Sequence, residues 1–318
     1  MTNATPHKLT IDFGAVNCLC NDGRYRRGQI IVTYNGLKWL DKCISSVLEQ
    51  STVIVVDNNS SDNTLKIIIE KFPEVVLLPQ DMNRGFGVAN NIGISYAIKN
   101  GAGAVFLLNQ DAYAGKDCIG NLVKISKIKT DYGIISPLHF NGNGNALDYS
   151  FQKLAYMSPL ISDLITKQYS KDIYDFKFIN AAAWFIPKDV FLKVGGFDPM
   201  FFMYGEDDNF SQRVLYYCFK VGVIPSAEIF HDTSNNNYEL GTYGSEKYCR
   251  QFINSINVKY ANINTDNYKR LWRFKLFLLK KGLIALLFFN ISKAKVYLEK
   301  FQMVNVKVIK ESVKNNKK

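Results

Sequence analysis

The chain has 318 residues, 47% of them apolar, and carries 39 basic against 28 acidic side chains for a formal net charge of +11. That apolar content buries a full core, and the length suits one large α/β domain with an appendage. Six cysteines, scattered apart from Cys18 and Cys20 and without a C-x-x-C pair, stand beside only three histidines, which argues against a zinc site or a disulfide framework and fits a reducing cytoplasm.

Residues 1–28 mix polar, small and basic types without a sustained period, and no basic start, apolar run and small-residue cleavage site occurs there. They are expected to form a loose N-terminal extension. From Gln29 the pattern changes. Gln29 to Tyr34 is a β-branched run closed by Asn35-Gly36, after which Trp39, Leu40, Cys43, Val47 and Leu48 recur at helical spacing. A second strand, Thr52 to Val56, runs into Asp57-Asn58-Asn59-Ser60-Ser61-Asp62, whose side chains suit the cap of a helix through Ile69. A third, Val75 to Leu78, leads to Asp81-Met82-Asn83-Arg84-Gly85-Phe86-Gly87 and a helix through Ala97. The fourth, Ala104 to Leu108, is five apolar residues ending in Asn109-Gln110-Asp111. Strands alternating with helices predict a parallel sheet whose strand ends face one crevice.

In the second half, Phe178 to Pro187 reads as a strand with small residues at 181–183, and Lys188 to Val194 as a short helix. After Gly195-Gly196-Phe197-Asp198 comes an aromatic loop, Phe201 to Gly205, and Glu206-Asp207-Asp208 open a helix continuing through Phe219. A strand from Ala227 to Phe230 ends at His231, and the asparagines 235–237 suggest a mobile loop. Leu271 to Phe289 is rich in Leu, Phe and Ile but interrupted by Lys280-Lys281-Gly282, so it is a poor spanning helix. Lys269, Arg270, Arg273, Lys280 and Lys281 share one arc of its wheel, and from Lys269 to Lys318 the only acids are Glu299 and Glu311. The charge excess belongs to this tail, which points to an anionic surface and not to a nucleic-acid groove in the core. A basic amphipathic helix on a membrane and a dimer-forming or core-packing helix both fit the pattern.

The polar residues gather at strand ends, where open α/β sheets bind ligands. Asp57 and the amides beside it suit a nucleobase or ribose, Asn83-Arg84-Gly85 suits a diphosphate, and a metal on Asp111 would neutralise that diphosphate further. Each loop alone is equally read as ordinary turn chemistry, and acids in a first helical turn as complements of the macrodipole. The blocks Val32-Thr33-Tyr34-Asn35, Val56 to Asp62, Asn83 to Gly87, Asn109-Gln110-Asp111, and Gly195 to Asp198 with Tyr204 to Asp207 together resemble glycosyltransferase family 2, in its rhamnosyltransferase-like branch, over roughly Gln29 to Asp232.

The resemblance implies a GT-A fold, that is a Rossmann-like, mostly parallel central sheet flanked by helices, here with a C-terminal helical appendage. It implies a nucleotide-sugar donor, a divalent metal (Mg²⁺ or Mn²⁺) and inversion at the anomeric carbon. Donor contacts fall on Thr33, Tyr34, Asn35, Asp57, Asn59, Asn83, Arg84, Gly85, Asn109, Gln110 and Asp111. Asp111 and His231 fall at the metal, Trp184 and Tyr204 at the acceptor, and Asp207, or else Glu206, is the catalytic base. One departure is that the family's metal motif is commonly Asp-x-Asp, whereas Asn109 stands first here, an acceptable but weaker ligand.

The expected organisation is an extension (1–28), a catalytic domain (29–240, its nucleotide-sugar half 29–111 and acceptor half 112–240) and a basic helical region (241–318). The expected activity is transfer of a sugar, with L-rhamnose from dTDP-rhamnose first, to a saccharide or lipid-linked acceptor in bacterial surface polysaccharide synthesis, at the inner face of the plasma membrane. A UDP-hexose donor, an inactive nucleotide-binding assembly partner and an oligomer stay open.

Overall fold

The structure is a computed structural model and describes residues 27–233, 241–242 and 245–317. Most of the expected extension and the asparagines 235–237 lie outside the described residues. The first half alternates as its periodicity predicts: β1 (Arg27–Thr33), α1 (Leu40–Leu48), β2 (Thr52–Asp57), α2 (Thr64–Lys71), β3 (Val76–Pro79), α3 (Phe86–Lys99) and β4 (Ala104–Asn109). It continues with β5 (Ala112–Ala114), α4 (Cys118–Ile128), β6 (Tyr132–Asn141), α5 (Tyr149–Ala155), α6 (Pro159–Thr166), β7 (Tyr174–Phe176), β8 (Ala183–Pro187), α7 (Lys188–Val194), α8 (Glu206–Tyr216) and β9 (Lys220–His231). Helices α9 (Glu246–Tyr260), α10 (Leu271–Leu287), α11 (Ile291–Met303) and α12 (Val306–Asn316) close the chain.

These strands share one sheet in the order β3-β2-β1-β4-β8-β6-β9-β5, with β7 on β9. From β3 to β4 every pairing is parallel, and β8 then runs antiparallel to β4. Both faces of the sheet are covered, as its unbroken apolar strands require. Ile31, Phe106 and Leu108 point into one cluster with Leu40, Val47 and Leu122, while Ile30, Val105 and Leu107 point into another with Ile94, Phe191 and Phe210.

Two readings of the second half change. The strand expected over 178–187 is confined to Ala183–Pro187, because its partner β4 ends at Asn109 and residues beyond Leu108↔Ala183 have no ladder to join. Trp184, expected at the acceptor, is fully buried on this strand, its ring 6.2 Å from Phe197 and 5.9 Å from Phe210. Its indole is buried because both faces of the sheet are covered here, as its neighbour Phe185 is buried on the other side.

The C-terminal helices form a third apolar cluster around Ile256, Tyr260, Leu271, Leu278, Ile309 and Val313, with Met200 and Tyr217 packed against it. They are also tied by polar contacts to the glycine motif that precedes α8. The Asp198 carboxylate accepts from Ser312 Oγ at 2.6 Å and Asn316 Nδ2 at 2.7 Å, and Tyr217 donates to the Asn316 carbonyl at 3.0 Å. Among the described residues no helix is long and apolar enough to cross a membrane. Removing both donors, with Ser312→Ala and Asn316→Ala together, leaves a mostly buried carboxylate oxygen unpaired and is expected to cost about 1.5–3 kcal/mol. Urea unfolding measures this, and an unchanged midpoint would mean that α12 contributes nothing to the domain it covers.

Candidate active site

The C-terminal end of β4 meets the N-terminal end of β8 and the C-terminal end of β1, and a cleft of about 290 Å³ opens there. Its wall brings together nine of the residues singled out from sequence: Tyr34, Asn83, Asn109, Gln110, Asp111, Tyr204, Glu206, Asp207 and His231. They come from strand and helix ends that are up to about two hundred residues apart in the chain, which is how a sheet rim collects function on rigid supports.

On the nucleotide side, Gln110 clamps the end of β1: the Tyr34 N–H donates to Gln110 Oε1 at 3.0 Å, and Gln110 Nε2 donates to the Tyr34 carbonyl at 3.3 Å. Asn58, one of the amides beside Asp57, lines the cleft and orders the next loop, donating to Asn83 Oδ1 at 2.9 Å and accepting from the Arg84 N–H at 2.8 Å. Thr33 and Asp57 are fully buried. The Asp57 carboxylate accepts from Thr33 Oγ1 at 3.1 Å, from Ser60 Oγ at 2.6 Å and from the Ser60 N–H at 2.9 Å. Asn35 joins the same loops by accepting from the Ser61 N–H at 2.8 Å, and Asn59 is exposed. None of these four lines the cleft wall.

Arg84 and Gly85 are likewise not part of the cleft wall. The guanidinium of Arg84 is held by Asp81 at 2.6 Å and Gln80 at 3.2 Å, and it is absent from the cleft wall. Gly85 has φ +79°, and a Cβ there would collide with the Phe202 carbonyl oxygen, which accepts from the Phe86 N–H at 3.1 Å. The glycine is needed because the aromatic loop 201–204 crosses directly over the start of α3, a long-range contact that no local spacing reveals.

Asp111 sits past the strand end with His231 Nε2 3.3 Å from its Oδ1, and His231 Nδ1 lies 3.4 Å from Asp148 Oδ2. Burial alone would push the imidazole pKa down, but Asp111 and Asp148 outweigh it and hold the group up at about 9. Burial likewise pushes Asp148 up, yet His231 and the Phe151 N–H bring it down to about 2. Asp148 escaped sequence reading because it looks like an ordinary helix cap, and it does cap α5 by accepting from the Ser150 and Phe151 N–H groups. Beside Asp111, the Asn109 side-chain oxygen is buried without a hydrogen-bond partner, as is the Asn180 oxygen across the cleft. An amide oxygen, a carboxylate and an imidazole form a donor set that fits Mg²⁺ or Mn²⁺, and the orphaned Asn109 oxygen is what such a ligand would satisfy. Among the described residues no three His, Cys, Asp or Glu side chains form a closed cage, so the remaining positions would fall to the diphosphate and water.

On the other wall, Gly205 at φ +95° turns the chain into α8, and Glu206, Asp207 and Asp208 fall in its first turn. Macrodipole complementarity would keep them ionised, but burial wins. Burial and then the charges of Asp207 and Asp208 push Glu206 up to about 8, and burial followed by Asp207 pushes Asp208 up to about 6. Burial also raises Asp207. The Glu206 Oε2 atom is buried with no partner, so the folded state holds the proton that the unfolded chain releases. Stability from this group is complete below pH 4.5, its unfolded value, and is lost as pH rises toward 8. Glu206→Gln is therefore expected to raise stability by more than about 1 kcal/mol at pH 8–9 and to change it little at pH 4, as read by denaturant titration at both pH values. Equal midpoints at alkaline pH would mean that the carboxylate finds solvent.

The profile of Glycosyl transferase family 2 matches residues 29–186. The dTDP-rhamnosyl transferase RfbF of Shigella flexneri is 25% identical over 226 residues, which cover 66% of this chain and 70% of that protein. An N-acetylglucosaminyl-diphospho-decaprenol L-rhamnosyltransferase of Mycobacterium tuberculosis is 23% identical over 233 residues, covering 65% and 76% respectively. Among solved structures, GalNAc-T7 with UDP, GalNAc and Mn²⁺ aligns at a TM-score of 0.58 and 16% identity, covering 92% of this chain, which in turn spans 57% of that one. The shared sheet, the strand-end cleft and these matches lead to one assignment: residues 29–186 are a glycosyl transferase family 2 domain on a GT-A fold, in a chain that resembles rhamnosyltransferases.

Proposed function

We propose that the protein transfers a hexosyl group from a nucleoside-diphosphate sugar, with L-rhamnose from a dTDP donor first, to a saccharide acceptor with inversion at the anomeric carbon. The observation that carries this reading is the convergence of Asn109, Gln110 and Asp111 at the end of β4 with Glu206 and Asp207 at the start of α8 in one cleft. Tyr34, Asn58 and Asn83 line the donor side, where Thr33 and Asp57 position the loop below them and Asn35 with Asn59 complete it. Asp111 and His231, with Asn109, would hold Mg²⁺ or Mn²⁺, which supplies positive charge against the leaving diphosphate.

The acceptor hydroxyl oxygen attacks the anomeric carbon while its proton passes to a carboxylate, and the bond from that carbon to the diphosphate breaks with its electron pair leaving on phosphate. Asp207 is the base by its motif position, with Glu206, which burial pushes up to about 8, as the alternative. Burial raises the basicity of Asp207 toward the task. Met203 and Tyr204, in the loop that Asn254 of α9 holds through a 2.8 Å bond to the Met203 carbonyl, cover the acceptor side. Because the mycobacterial relative is named for a diphospho-decaprenol substrate, a lipid-linked acceptor and a peripheral position at the inner face of the bacterial plasma membrane complete the reading. Surface-polysaccharide synthesis is the context it implies.

Asp207→Asn is expected to lower kcat by about 10²–10⁴ with donor affinity unchanged, and to remove the acidic limb of the kcat/KM profile, which in the wild type lies above the usual carboxylate range. A variant with wild-type kcat would move the base to Glu206. Asp111→Ala, or EDTA on the wild type, is expected to abolish nucleoside-diphosphate release, with Mn²⁺ or Mg²⁺ restoring only the latter. Full turnover in EDTA would remove the metal from the reaction. A donor screen by the same readout separates dTDP-rhamnose from UDP-hexoses, and release from no donor would favour a non-catalytic nucleotide-binding partner.

A further inference from the structure

The hairpin formed by α10 and α11 ends in a cluster of exposed apolar side chains. Leu287, Phe288, Phe289 and Ile291 are 77, 79, 91 and 72% exposed, and Leu283 and Leu286 beside them are about half exposed. The turn is closed and not frayed. Phe289 adopts a left-handed φ of +54°, and the N–H groups of Phe288, Phe289 and Asn290 donate to the carbonyls of Ile284, Leu286 and Ala285 at 3.2, 2.9 and 2.9 Å. Asn290 then caps α11 by accepting from the Lys293 N–H at 3.0 Å. These bonds leave the turn with few backbone donors to strand if water is removed from around it, the condition for entering an apolar medium. Gly282, where a Cβ would meet Leu298 at 3.0 Å, brings the two helices close and keeps the wedge narrow.

The charge near this tip is of one sign. No acid occurs between Asp266 and Glu299, while Lys280, Lys281, Lys293 and Lys295 are all exposed. At about 1.5 Å per helical residue they stand about 5–12 Å back from the turn, the depth at which an interfacial helix meets headgroups. Only one side of α10 is covered, where Leu278 is buried in the C-terminal cluster and Phe274 packs 5.5 Å from Tyr260, while Trp272, Leu276, Phe277 and Leu283 leave an exposed apolar stripe that runs to the tip. The most exposed apolar side chains, Leu287, Phe288, Phe289 and Ile291, stand at the end of that stripe, which makes the tip the leading contact. A second copy of the chain is a poor occupant, because pairing two tips would bring eight lysines together without a counter-charge.

We propose that the tip from Leu286 to Ile291 inserts into an anionic phospholipid bilayer, with the four lysines contacting headgroup phosphates. The inference deepens the peripheral placement given above, but its test does not use the transfer reaction. Full-length protein is floated with phosphatidylcholine vesicles that contain or lack phosphatidylglycerol, at low salt and at about 1 M salt, where the Debye length is roughly 3 Å. Binding to the anionic vesicles at low salt is expected. The triple variant Leu287→Ser, Phe288→Ser, Phe289→Ser should lose it by at least about tenfold, and Lys280→Gln, Lys281→Gln, Lys293→Gln, Lys295→Gln should lose the preference for phosphatidylglycerol.

The single variant Phe289→Ser, at the most exposed position, should weaken binding with an unchanged unfolding midpoint, and Phe288→Trp should shift its emission to the blue on adding anionic vesicles. Wild-type protein that ignores anionic vesicles at low salt overturns the proposal. So does a serine variant that binds as the wild type does, or a wild-type dimer that the serine variant dissolves, which would make the tip a contact between copies. Nucleoside-diphosphate release with a water-soluble acceptor, unchanged in the serine variants, separates failure of this proposal from failure of the transferase reading.

Discussion

The end of β4 is the constraint on which the site depends. Asn109 closes a strand that pairs in parallel with β1 on one side and antiparallel with β8 on the other, and its N–H donates to the Ala182 carbonyl at 2.9 Å. A strand flanked in this way has the finish of one neighbour and the start of the other at the same rim. The first half of the chain reaches that rim through strand ends, as doubly wound sheets do, and the second half reaches it through the loop before β8 and the first turn of α8. A one-residue slip of β4 against its neighbours would turn the Asn109 side chain to the opposite face of the sheet.

Around that rim, desolvation sets the charge states more than the macrodipole does. Three consecutive carboxylates at a helix N-terminus would each gain about 0.3–1 kcal/mol by being ionised on a surface. Buried beside one another they are driven the other way, with Glu206 near 8 and Asp208 near 6. On the opposite wall the negative charges of Asp111 and Asp148 are bridged by the His231 ring, which would have to give up its proton to take a metal. One wall thus favours protonated acids, while the other sets an imidazole between two carboxylates, and the cleft opens between them.

The C-terminal helices are part of this arrangement. Asn254 holds the Met203 carbonyl of the aromatic loop, and Ser312 with Asn316 holds Asp198, whose other oxygen accepts from the Met200 N–H at 2.9 Å. The loop 201–204 on the cleft wall is thereby fixed by the C-terminal helices. The same helical region carries the exposed apolar tip, so the element that braces the cleft also extends away from it.

The sequence by itself determined the alternation of the first half, because runs such as Gln29 to Tyr34 and Ala104 to Leu108 are too apolar and too β-branched to be anything but buried strands, and because polar clusters end each of them. It also determined that Asn109, Gln110, Asp111, Glu206, Asp207 and His231 were the groups to watch, since motif order and residue type survive without coordinates. Only the tertiary structure decided where each side chain points. Trp184 went to the core because both faces of the sheet are covered there, Arg84 to Asp81 because that carboxylate is three residues away, and Gly85 to the Phe202 carbonyl because a loop more than a hundred residues downstream crosses it. Asp148 beside His231 and the end-on exposure of Phe288 and Phe289 were equally hidden, for periodicity records which residues share a face and not which faces find a partner.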